Sequence, residues 1–189
     1  MDEKIIFAGF GGQGIMSMGL IMSYAGMMDG KNVSWLPSYG PEMRGGTANC
    51  HVTISDEPVG SPIINEATVV VAMNRPSLEK YEKYIVPGGK LFINTSLIEK
   101  KAERKDIEIY EIAANDIANE LGNLKIANMV ILGALVRATN ITKFESVLKA
   151  LVEVLGPSKE HLVSINEKAL KKGSELIENL NDKQKSHLE

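Results

Sequence analysis

Short apolar runs alternate with turns and longer patterned stretches along most of this chain. Residues 5–8 are four consecutive apolar positions, and residues 67–73 form a second run without a charged side chain. Runs of this length are typical of strands that are buried on both faces of a parallel sheet. Helical patterns lie between such runs, and this order predicts an α/β fold, a Rossmann-like, mostly parallel sheet flanked by helices.

The longer patterned stretches predict the helices of this fold. Residues 14–28 are apolar on nearly every side, which predicts a helix that is buried all round. Either the C-terminal helices of the same chain or another subunit must cover its outer face, and the pattern leaves both possibilities open. Residues 144–155 and 162–180 have apolar positions at helical spacing, which predicts two C-terminal amphipathic helices.

Weaker patterns place the remaining elements. A turn is expected at Pro87-Gly88-Gly89, and Asn128 is expected to cap a third apolar helix. One domain is predicted over residues 1–180, followed by a polar, frayed tail at 181–189. The other predicted strands are 32–36, 49–55, 90–94 and 107–112, and the other predicted helices are 75–84 and 114–121.

Composition narrows the possible environment and partners. The net charge of −3 argues against broad non-specific binding to nucleic acid or to anionic membranes. Cys50 is the only cysteine, so the chain can neither close an internal disulfide nor hold an iron–sulfur cluster, which fits a reducing cytoplasm. Residues 5–28 carry no charge but contain six glycines, so we expect a strand, a turn and a helix there and no membrane span.

A glycine-rich turn lies between the first predicted strand and the first predicted helix. Gly9, Gly11 and Gly14 have the spacing of the fingerprint of dinucleotide-binding folds, with Gly12 and Gln13 inside the turn. The start of a helix offers free N–H groups and a partial positive charge to an anion. Because the same turn can also serve a packed interface, the motif predicts the fold more strongly than it predicts a ligand.

The usual catalytic and cofactor motifs are missing from the sequence. The second predicted strand ends in Trp35-Leu36-Pro37-Ser38, without the acidic residue that would hold the ribose of a nicotinamide cofactor. The phosphate-loop and thiamine diphosphate motifs are missing as well, and no His/Cys pair has metal-ligand spacing. His51, His161 and His187 are expected to be structural or surface residues. The sequence therefore points to a non-catalytic subunit of a larger enzyme.

Residues 37–48 predict an irregular loop at the edge of the sheet that also carries the glycine turn. Arg44 is its expected anion contact, because a guanidinium can hold a phosphate or carboxylate at two points. Alternatively, Glu42 and Arg44 pair with each other and only fix the loop. The candidate residues for binding a cofactor or a partner are Gly9, Gly11, Gly12, Gln13, Gly14, Tyr39, Gly40, Pro41, Glu42, Arg44, Gly45, Gly46 and Asn74.

Two motifs of this chain closely resemble the gamma subunit of 2-oxoacid:ferredoxin oxidoreductases. They are Gly9-Phe10-Gly11-Gly12-Gln13-Gly14 and the ten residues 37–46, of which the second is the specific one. The pattern is most similar to the 2-oxoglutarate and branched-chain types within the pyruvate/ketoisovalerate oxidoreductase family. Further similar stretches, which together cover nearly the whole chain, are 52–55, the turn at Asn74, 87–89 with Asn94, and 128–134.

The resemblance implies a complex that converts a 2-oxoacid, 2-oxoglutarate being the first choice, and coenzyme A to acyl-CoA and CO₂ while it reduces ferredoxin. It implies thiamine diphosphate and Mg²⁺ on the alpha and beta subunits, and 4Fe–4S clusters on beta and on a ferredoxin-like delta subunit. This chain is then expected to bind none of these cofactors alone, to carry no catalytic or metal-ligating residue and to be inactive in isolation. Two alternatives stay open, a purely structural assembly subunit and a stand-alone Rossmann-type nucleotide-binding protein.

Overall fold

The computed structural model describes residues 2–39 and 47–186, with side chains described as far as residue 180. The described strands form one sheet in the order β2-β3-β1-β4-β5-β6. The strands are β1 (Asp2–Phe10), β2 (Asn32–Tyr39), β3 (Thr47–Ser55), β4 (Ala67–Ala72), β5 (Ile85–Asn94) and β6 (Glu108–Ile112). The helices are α1 (Ile15–Met28), α2 (Arg75–Tyr81), α3 (Ala114–Glu120), α4 (Ala127–Thr139), α5 (Phe144–Leu155) and α6 (Val163–Ser186).

The sheet is mixed but mostly parallel. The strands β1, β4, β5 and β6 pair in parallel, whereas β3 is antiparallel to both of its neighbours, β1 and β2. Consequently β2 runs in the direction of β1, and every described strand except β3 ends at the same edge of the sheet. We call this edge the carboxyl edge. The predicted fold class is confirmed.

The two faces of the sheet are covered differently. Helices α1, α3, α4, α5 and α6 contribute to the core on one face, and α2 with the segments around Ile64 and Ile98 covers the other. The helix that follows β1 therefore lies on the opposite face from the helix that follows β4, although these two strands are neighbours. In open α/β sheets, a crevice at such a switch point is the usual position of a ligand site.

The chain itself covers the outer side of α1. Met18 and Met22 are fully buried on this helix, and they belong to the same core as Val147 and Leu151 of α5. Helix α5 of the same chain thus provides most of the cover that the pattern required. Met27 and Met28 in the last turn of α1 are 53% and 46% exposed, so the predicted burial on all sides is wrong at the end of this helix. In the described part of the chain, no helix is both long and apolar enough to cross a membrane.

Helices α4 and α6 cross with their backbones in contact. A Cβ atom at Gly133 would lie 1.9 Å from the carbonyl oxygen of Leu170, and one at Gly173 would lie 1.8 Å from that of Val130. Helix α4 is thus enclosed between the sheet and α6, which agrees with the burial of nearly all of its side chains. Only glycine permits so close an approach, because any side chain would meet the neighbouring backbone.

Two predicted turns are strand instead. The second strand continues through Pro37 to Tyr39, which pairs with Ala48, so the ends of the predicted loop 37–48 belong to β2 and β3. β2 is an edge strand, and proline is tolerated there because one side of the strand has no partner. The expected turn at Pro87-Gly88-Gly89 is wrong as well, because these residues lie within β5, where its register with β4 is irregular.

Candidate functional site at the carboxyl edge

The side chain of Gln13 ties the glycine turn to the neighbouring strand. Its Oε1 accepts a hydrogen bond from the N–H of Phe10 at 2.6 Å, and its Nε2 donates one to the carbonyl of Met73 at 3.0 Å. Both ends of the amide are thus engaged within the chain, across the crevice between β1 and the end of β4. The structure therefore gives Gln13 a role in shaping the turn.

Two of the motif glycines serve packing inside the chain. A Cβ atom at Gly9 would lie 2.6 Å from Oε1 of Gln13 and 2.9 Å from Cβ of Met73. One at Gly14 would lie 2.1 Å from Nδ2 of Asn128, which donates a hydrogen bond to the carbonyl of Gly14 at 3.3 Å. These contacts fix the turn between β4 and α4, so the spacing of Gly9 and Gly14 reflects packing.

Asn128 is not the N-cap of its helix, contrary to the sequence prediction. Helix α4 begins at Ala127 with Ile126 as its N-cap, because a short 3-10 helix, Leu124–Ile126, leads directly into it. Asn128 therefore lies within the first turn of α4. From there its amide reaches the glycine turn.

The open side of the turn is at Gly11 and Gly12, which are both exposed. Gly12 has a φ of +91°, and a Cβ atom there would have no neighbour within 4 Å. Three depressions of the described surface, with volumes of about 680, 240 and 180 Å³, all have Gly12 in their walls. Gly12 is therefore the point around which the candidate site is arranged.

The largest depression is positively charged. It lies between the glycine turn, the start of α4, the end of α5 and the 3-10 helix Pro157–Leu162, and its volume is about 680 Å³. Lys125, Lys159 and His161 line it, and none of the described residues in its wall is acidic. Its neutral polar lining comes from Ser17, Asn123, Asn128 and Asn166.

The first turn of α1 adds to this positive potential. Gly14 and Ser17 line the cavity, so the helix begins at its wall. The first turn contains no acidic residue, and no side chain caps it. The free N–H groups of a helix start act as a partial positive charge, and Lys125 and Lys159 have no ion-pair partner within the described residues. The cavity, which we call the basic cavity, can therefore hold an anion of nucleotide size.

Most of the predicted loop site lies outside the described residues. Gly40, Pro41, Glu42, Arg44, Gly45 and Gly46 belong to this part, so the anion contact of Arg44 stays a prediction. Tyr39 is the last residue described before the gap, and its side chain is 66% exposed. Tyr39 lines the groove of about 240 Å³ together with Phe10, Gly12 and Met16.

Buried asparagines at the carboxyl edge hold the starts of two helices. The Oδ1 of Asn74 accepts a hydrogen bond from the N–H of Ser77 at 2.9 Å and so caps α2. Asn94 is fully buried, and its amide bonds to Oδ1 of Asn115 and to the N–H of Ala114 at the start of α3. The structure thus shows a capping role for Asn74, and its contact with a cofactor or partner stays a prediction.

The other groups that carry potential chemistry have structural surroundings. The Nδ1 of His51 accepts a hydrogen bond from the N–H of Ile64 at 3.0 Å, and burial together with nearby Lys80 lowers the pKa of this imidazole. Burial raises the pKa of the Cys50 thiol to about 12, so it stays protonated and unreactive at neutral pH. Within the described residues, no group of three acidic, histidine or cysteine side chains could hold a metal ion.

The cationic residues of the basic cavity were missed by the sequence analysis. Lys125 follows Gly122-Asn123, while Lys159 and His161 follow Gly156-Pro157, so each lies shortly after a turn. Helix α4 begins beside the glycine turn and α5 ends there, so the turn before α4 and the turn after α5 meet at the carboxyl edge, and this helix order is a signal that could have linked these residues. Their distance from the glycine turn along the chain hides this relation from any short motif.

Comparisons with known proteins agree with this architecture. A family model described as pyruvate ferredoxin/flavodoxin oxidoreductase matches residues 4–176. The chain is 37% identical to 2-oxoglutarate synthase subunit KorC of Methanocaldococcus jannaschii over 95% of its own length and 96% of that protein. It is 36% identical to ketoisovalerate oxidoreductase subunit VorA of Methanothermobacter marburgensis, and this match covers 92% of the chain but 36% of the relative. The chain thus spans about a third of the length of the VorA relatives.

Among solved structures too, the α/β unit occurs both as a nearly complete chain and as about a third of a longer chain. The gamma subunit of a keto/oxoacid ferredoxin oxidoreductase from Geobacter sulfurreducens superposes with a TM-score of 0.78 at 32% identity, over 93% of this chain and 98% of that one. A chain of the 2-oxoglutarate:ferredoxin oxidoreductase from Magnetococcus marinus, solved with 2-oxoglutarate, coenzyme A and succinyl-CoA bound, gives 0.86 at 27% identity, over 94% of this chain and 31% of that one. Because the family model matches nearly the whole α/β unit, this chain belongs to the pyruvate ferredoxin/flavodoxin oxidoreductase family.

Proposed function

We propose that this chain is the gamma subunit of a 2-oxoacid:ferredoxin oxidoreductase. The observation that carries the proposal is the correspondence over whole lengths, since the chain spans 96% of a KorC subunit and 98% of a solved gamma subunit. We further propose 2-oxoglutarate as the substrate, because KorC is matched over its whole length whereas VorA is matched over about a third. The complex would form succinyl-CoA and CO₂ and pass electrons to ferredoxin.

The cofactors of this reaction are assigned to partner chains. The sequence contains a single cysteine, which is buried, so it cannot supply the ligands of an iron–sulfur cluster. We assign thiamine diphosphate, Mg²⁺ and the 4Fe–4S clusters to alpha, beta and delta subunits in the cytoplasm. Thiamine diphosphate would supply decarboxylation there, and this chain would bind a co-substrate and shield it from water.

Coenzyme A is the co-substrate whose chemistry matches the basic cavity. Its phosphates lie at one end of a long molecule and its reactive thiol at the other. The cavity offers two lysines, a histidine and the start of α1, and its volume of about 680 Å³ lies within the range of small-molecule sites. We therefore propose that Lys125, Lys159 and the first backbone amides of α1 bind the phosphate end of coenzyme A. The rest of the coenzyme A molecule would then extend past Gly12, with its thiol end toward the partner chain.

Charge reversal in the reconstituted complex tests this assignment. Lys125→Glu and Lys159→Glu should each raise KM for coenzyme A at least about tenfold, the scale of one charged hydrogen bond. The KM for 2-oxoglutarate should stay within twofold of wild type, because that substrate is not assigned to the cavity. Lys149→Glu is the matched control, since this exposed lysine of α5 does not line the cavity.

Charge reversal and two measurements on the isolated chain distinguish the competing functions. If the complex assembles and neither cavity variant changes KM for coenzyme A, the chain is an assembly subunit and the cavity assignment is wrong. If the isolated chain oxidises 2-oxoglutarate with thiamine diphosphate and a viologen acceptor, the assignment of the cofactors to partner chains is wrong. A micromolar Kd for NAD(H) in calorimetry would favour the stand-alone nucleotide-binding protein, against which the lack of an acid at the end of β2 argues.

A further inference from the structure

The 3-10 helix Pro157–Leu162, which forms one wall of the basic cavity, is tied to the rest of the chain by hydrogen bonds only at its ends. Before its start, the N–H of Gly156 donates to the carbonyl of Val152 in α5 at 3.0 Å. At its end, the carbonyl of Leu162 accepts a hydrogen bond from Nδ2 of Asn166 in α6 at 2.8 Å. None of its residues is buried, and within the described part of the chain none of its side chains has a hydrogen bond or an ion pair. We call this 3-10 helix the arm.

Open space lies on both sides of the arm. Lys159, His161 and Leu162 line the basic cavity of about 680 Å³. Pro157 and Glu160 line a second depression of about 420 Å³, which lies between the arm, the end of α5 and the start of α6. Because packed interiors resist displacement, a segment without buried side chains and with space on two sides can move at little cost in lost contacts.

The charged side chains of the arm are divided between these two spaces. Lys159 and His161 line the same cavity as Lys125 and the first turn of α1. Glu160 lines the second depression, together with Glu153 of α5. Without an anion, repulsion between the two lysines and the positive helix start opposes movement of the arm into the basic cavity. A phosphate placed between them attracts both sides, so the movement becomes favourable when an anion is bound.

The backbone of the arm contains two points at which it can bend. Gly156 precedes it with a φ of +70° and with open space around its missing Cβ, which is a conformation that glycine adopts without strain. Lys159 lies in its middle with non-helical angles, φ −118° and ψ 17°, so the arm is kinked at its cationic residue. Hinges in proteins are a few residues at the ends of elements that absorb such changes, and a short 3-10 helix has weaker internal hydrogen bonds than an α-helix.

We propose that the arm is a lid that moves toward the first turn of α1 when the basic cavity binds the phosphate groups of coenzyme A. The movement brings Lys159 and His161 against the phosphates from the side opposite Lys125, and it narrows the cavity. The proposal rests on the proposed function, and it adds the conformational step by which the site closes. The ligand favours the closed arrangement because only this arrangement surrounds the phosphates with positive charge on both sides.

Holding the arm away from the cavity tests the proposal. In the variant Glu153→Cys/Glu160→Cys, a short bismaleimide joins α5 to the arm across the second depression. Cys50 should stay unmodified in this reaction because its thiol is buried. When the cross-linked chain is reconstituted with its partner chains, the Kd for coenzyme A should weaken at least about tenfold, the scale of one charged hydrogen bond, since Lys159 can no longer reach the phosphates.

The matched control is a second cysteine pair on the same helix. Glu145→Cys and Lys149→Cys lie one turn apart at exposed positions of α5, so the same reagent joins them without restraining the arm. This control should bind coenzyme A as wild type does.

Hydrogen exchange of the wild-type complex measures the closure without any substitution. The amides of residues 158–162 should exchange several times more slowly when coenzyme A is bound, because closure restricts the arm. The amides of residues 59–61 should not change, since this exposed segment follows the end of β3 at the opposite edge of the sheet.

The remaining outcomes overturn the proposal in distinguishable ways. If the cross-linked variant binds coenzyme A as well as its control does, while Lys125→Glu weakens binding, the arm does not close and the proposed function stands. The same conclusion follows if coenzyme A leaves hydrogen exchange of the arm unchanged. If the control pair weakens binding as much as the cross-linked arm does, the effect belongs to the reagent and the lid is wrong. If neither Lys125→Glu nor Lys159→Glu changes the binding of coenzyme A, the proposed coenzyme A site fails and the lid with it.

Discussion

The glycine turn after β1 and the crossing of α4 with α6 both need residues without side chains, but their neighbours differ. At the crossing, the Cβ positions of Gly133 and Gly173 meet backbone carbonyls within 2 Å. At the turn, Gly14 meets the side-chain amide of Asn128, while Gly12 meets nothing within 4 Å. The crossing is thus a rigid backbone contact, and the turn combines a side-chain contact with an open surface.

This difference separates packing from function among glycines that look alike in sequence. Gly133 and Gly173 lie outside the glycine-turn motif, yet their surroundings leave no room for any other residue. Gly9 and Gly14 belong to the dinucleotide-type motif, yet their neighbours are groups of this chain. Gly12, also within the motif, faces solvent at the point where the three depressions meet. The neighbours of a glycine, more than its motif, therefore indicate its role.

The largest effect is expected at the helix crossing. Gly133→Ala and Gly173→Ala should each lower the free energy of unfolding by about 3 kcal/mol or more, because a methyl group forced against backbone must push the helices apart. Urea unfolding of the purified chain measures this loss. Gly60→Ala is the control, since a Cβ there has open space and no unusual φ, and it should change stability by less than about 0.5 kcal/mol. A loss at the crossing equal to that of the control would contradict the backbone contact.

An intermediate effect is expected at Gly14, and it should be partly reversible. Gly14→Ala should cost about 2 kcal/mol, from its positive φ and from the contact with Asn128. In the double variant with Asn128→Ala, the methyl group has room, so a double-mutant cycle in urea should show a favourable coupling of about 1 kcal/mol. Gly133→Ala with Leu170→Ala should show none, because the atom in the way there is a carbonyl oxygen. Equal coupling energies in the two double-mutant cycles would contradict the distinction between a side-chain contact at the glycine turn and a backbone contact at the helix crossing.

The smallest effect on stability is expected at Gly12. Gly12→Ala and Gly30→Ala should each cost about 1 kcal/mol, since both positions have positive φ and open space around the missing Cβ. They should differ in function, because Gly12 lines the basic cavity whereas Gly30 lies at the opposite end of α1. In the reconstituted complex, Gly12→Ala should raise KM for coenzyme A severalfold and Gly30→Ala should not. Equal KM values would show that the open side of the turn is functionally neutral.

Local patterns were sufficient for most of the fold. The apolar run at 67–73 became the central strand β4, and the stripe at 144–155 became α5 with the predicted bounds. Such patterns succeed because the period of buried positions within one element depends on its own geometry. They failed at Pro37 and Pro87, where turn-forming residues lie inside strands, because an edge position or an irregular register tolerates them.

The candidate site was predictable only in part. The position of the glycine turn followed from strand order, and the structure places the end of β2 at Tyr39 on the same edge of the sheet. Gln13 and Asn74 were proposed as binding residues, and the structure shows that they tie down the turn and cap α2. Lys125, Lys159 and His161 could not be assigned, because each belongs to a connection whose position depends on how the helices pack.

The sequence by itself determined the class of fold, the order of elements and the family, because these depend on local periodicity and on short contiguous motifs. Only the tertiary structure decided which glycines touch backbone, which touch a side chain and which stay open. The contact between Gly14 and Asn128 joins residues 114 positions apart, and the walls of the basic cavity come from equally distant segments. Such contacts depend on the packing of whole helices against the sheet, which no local pattern encodes.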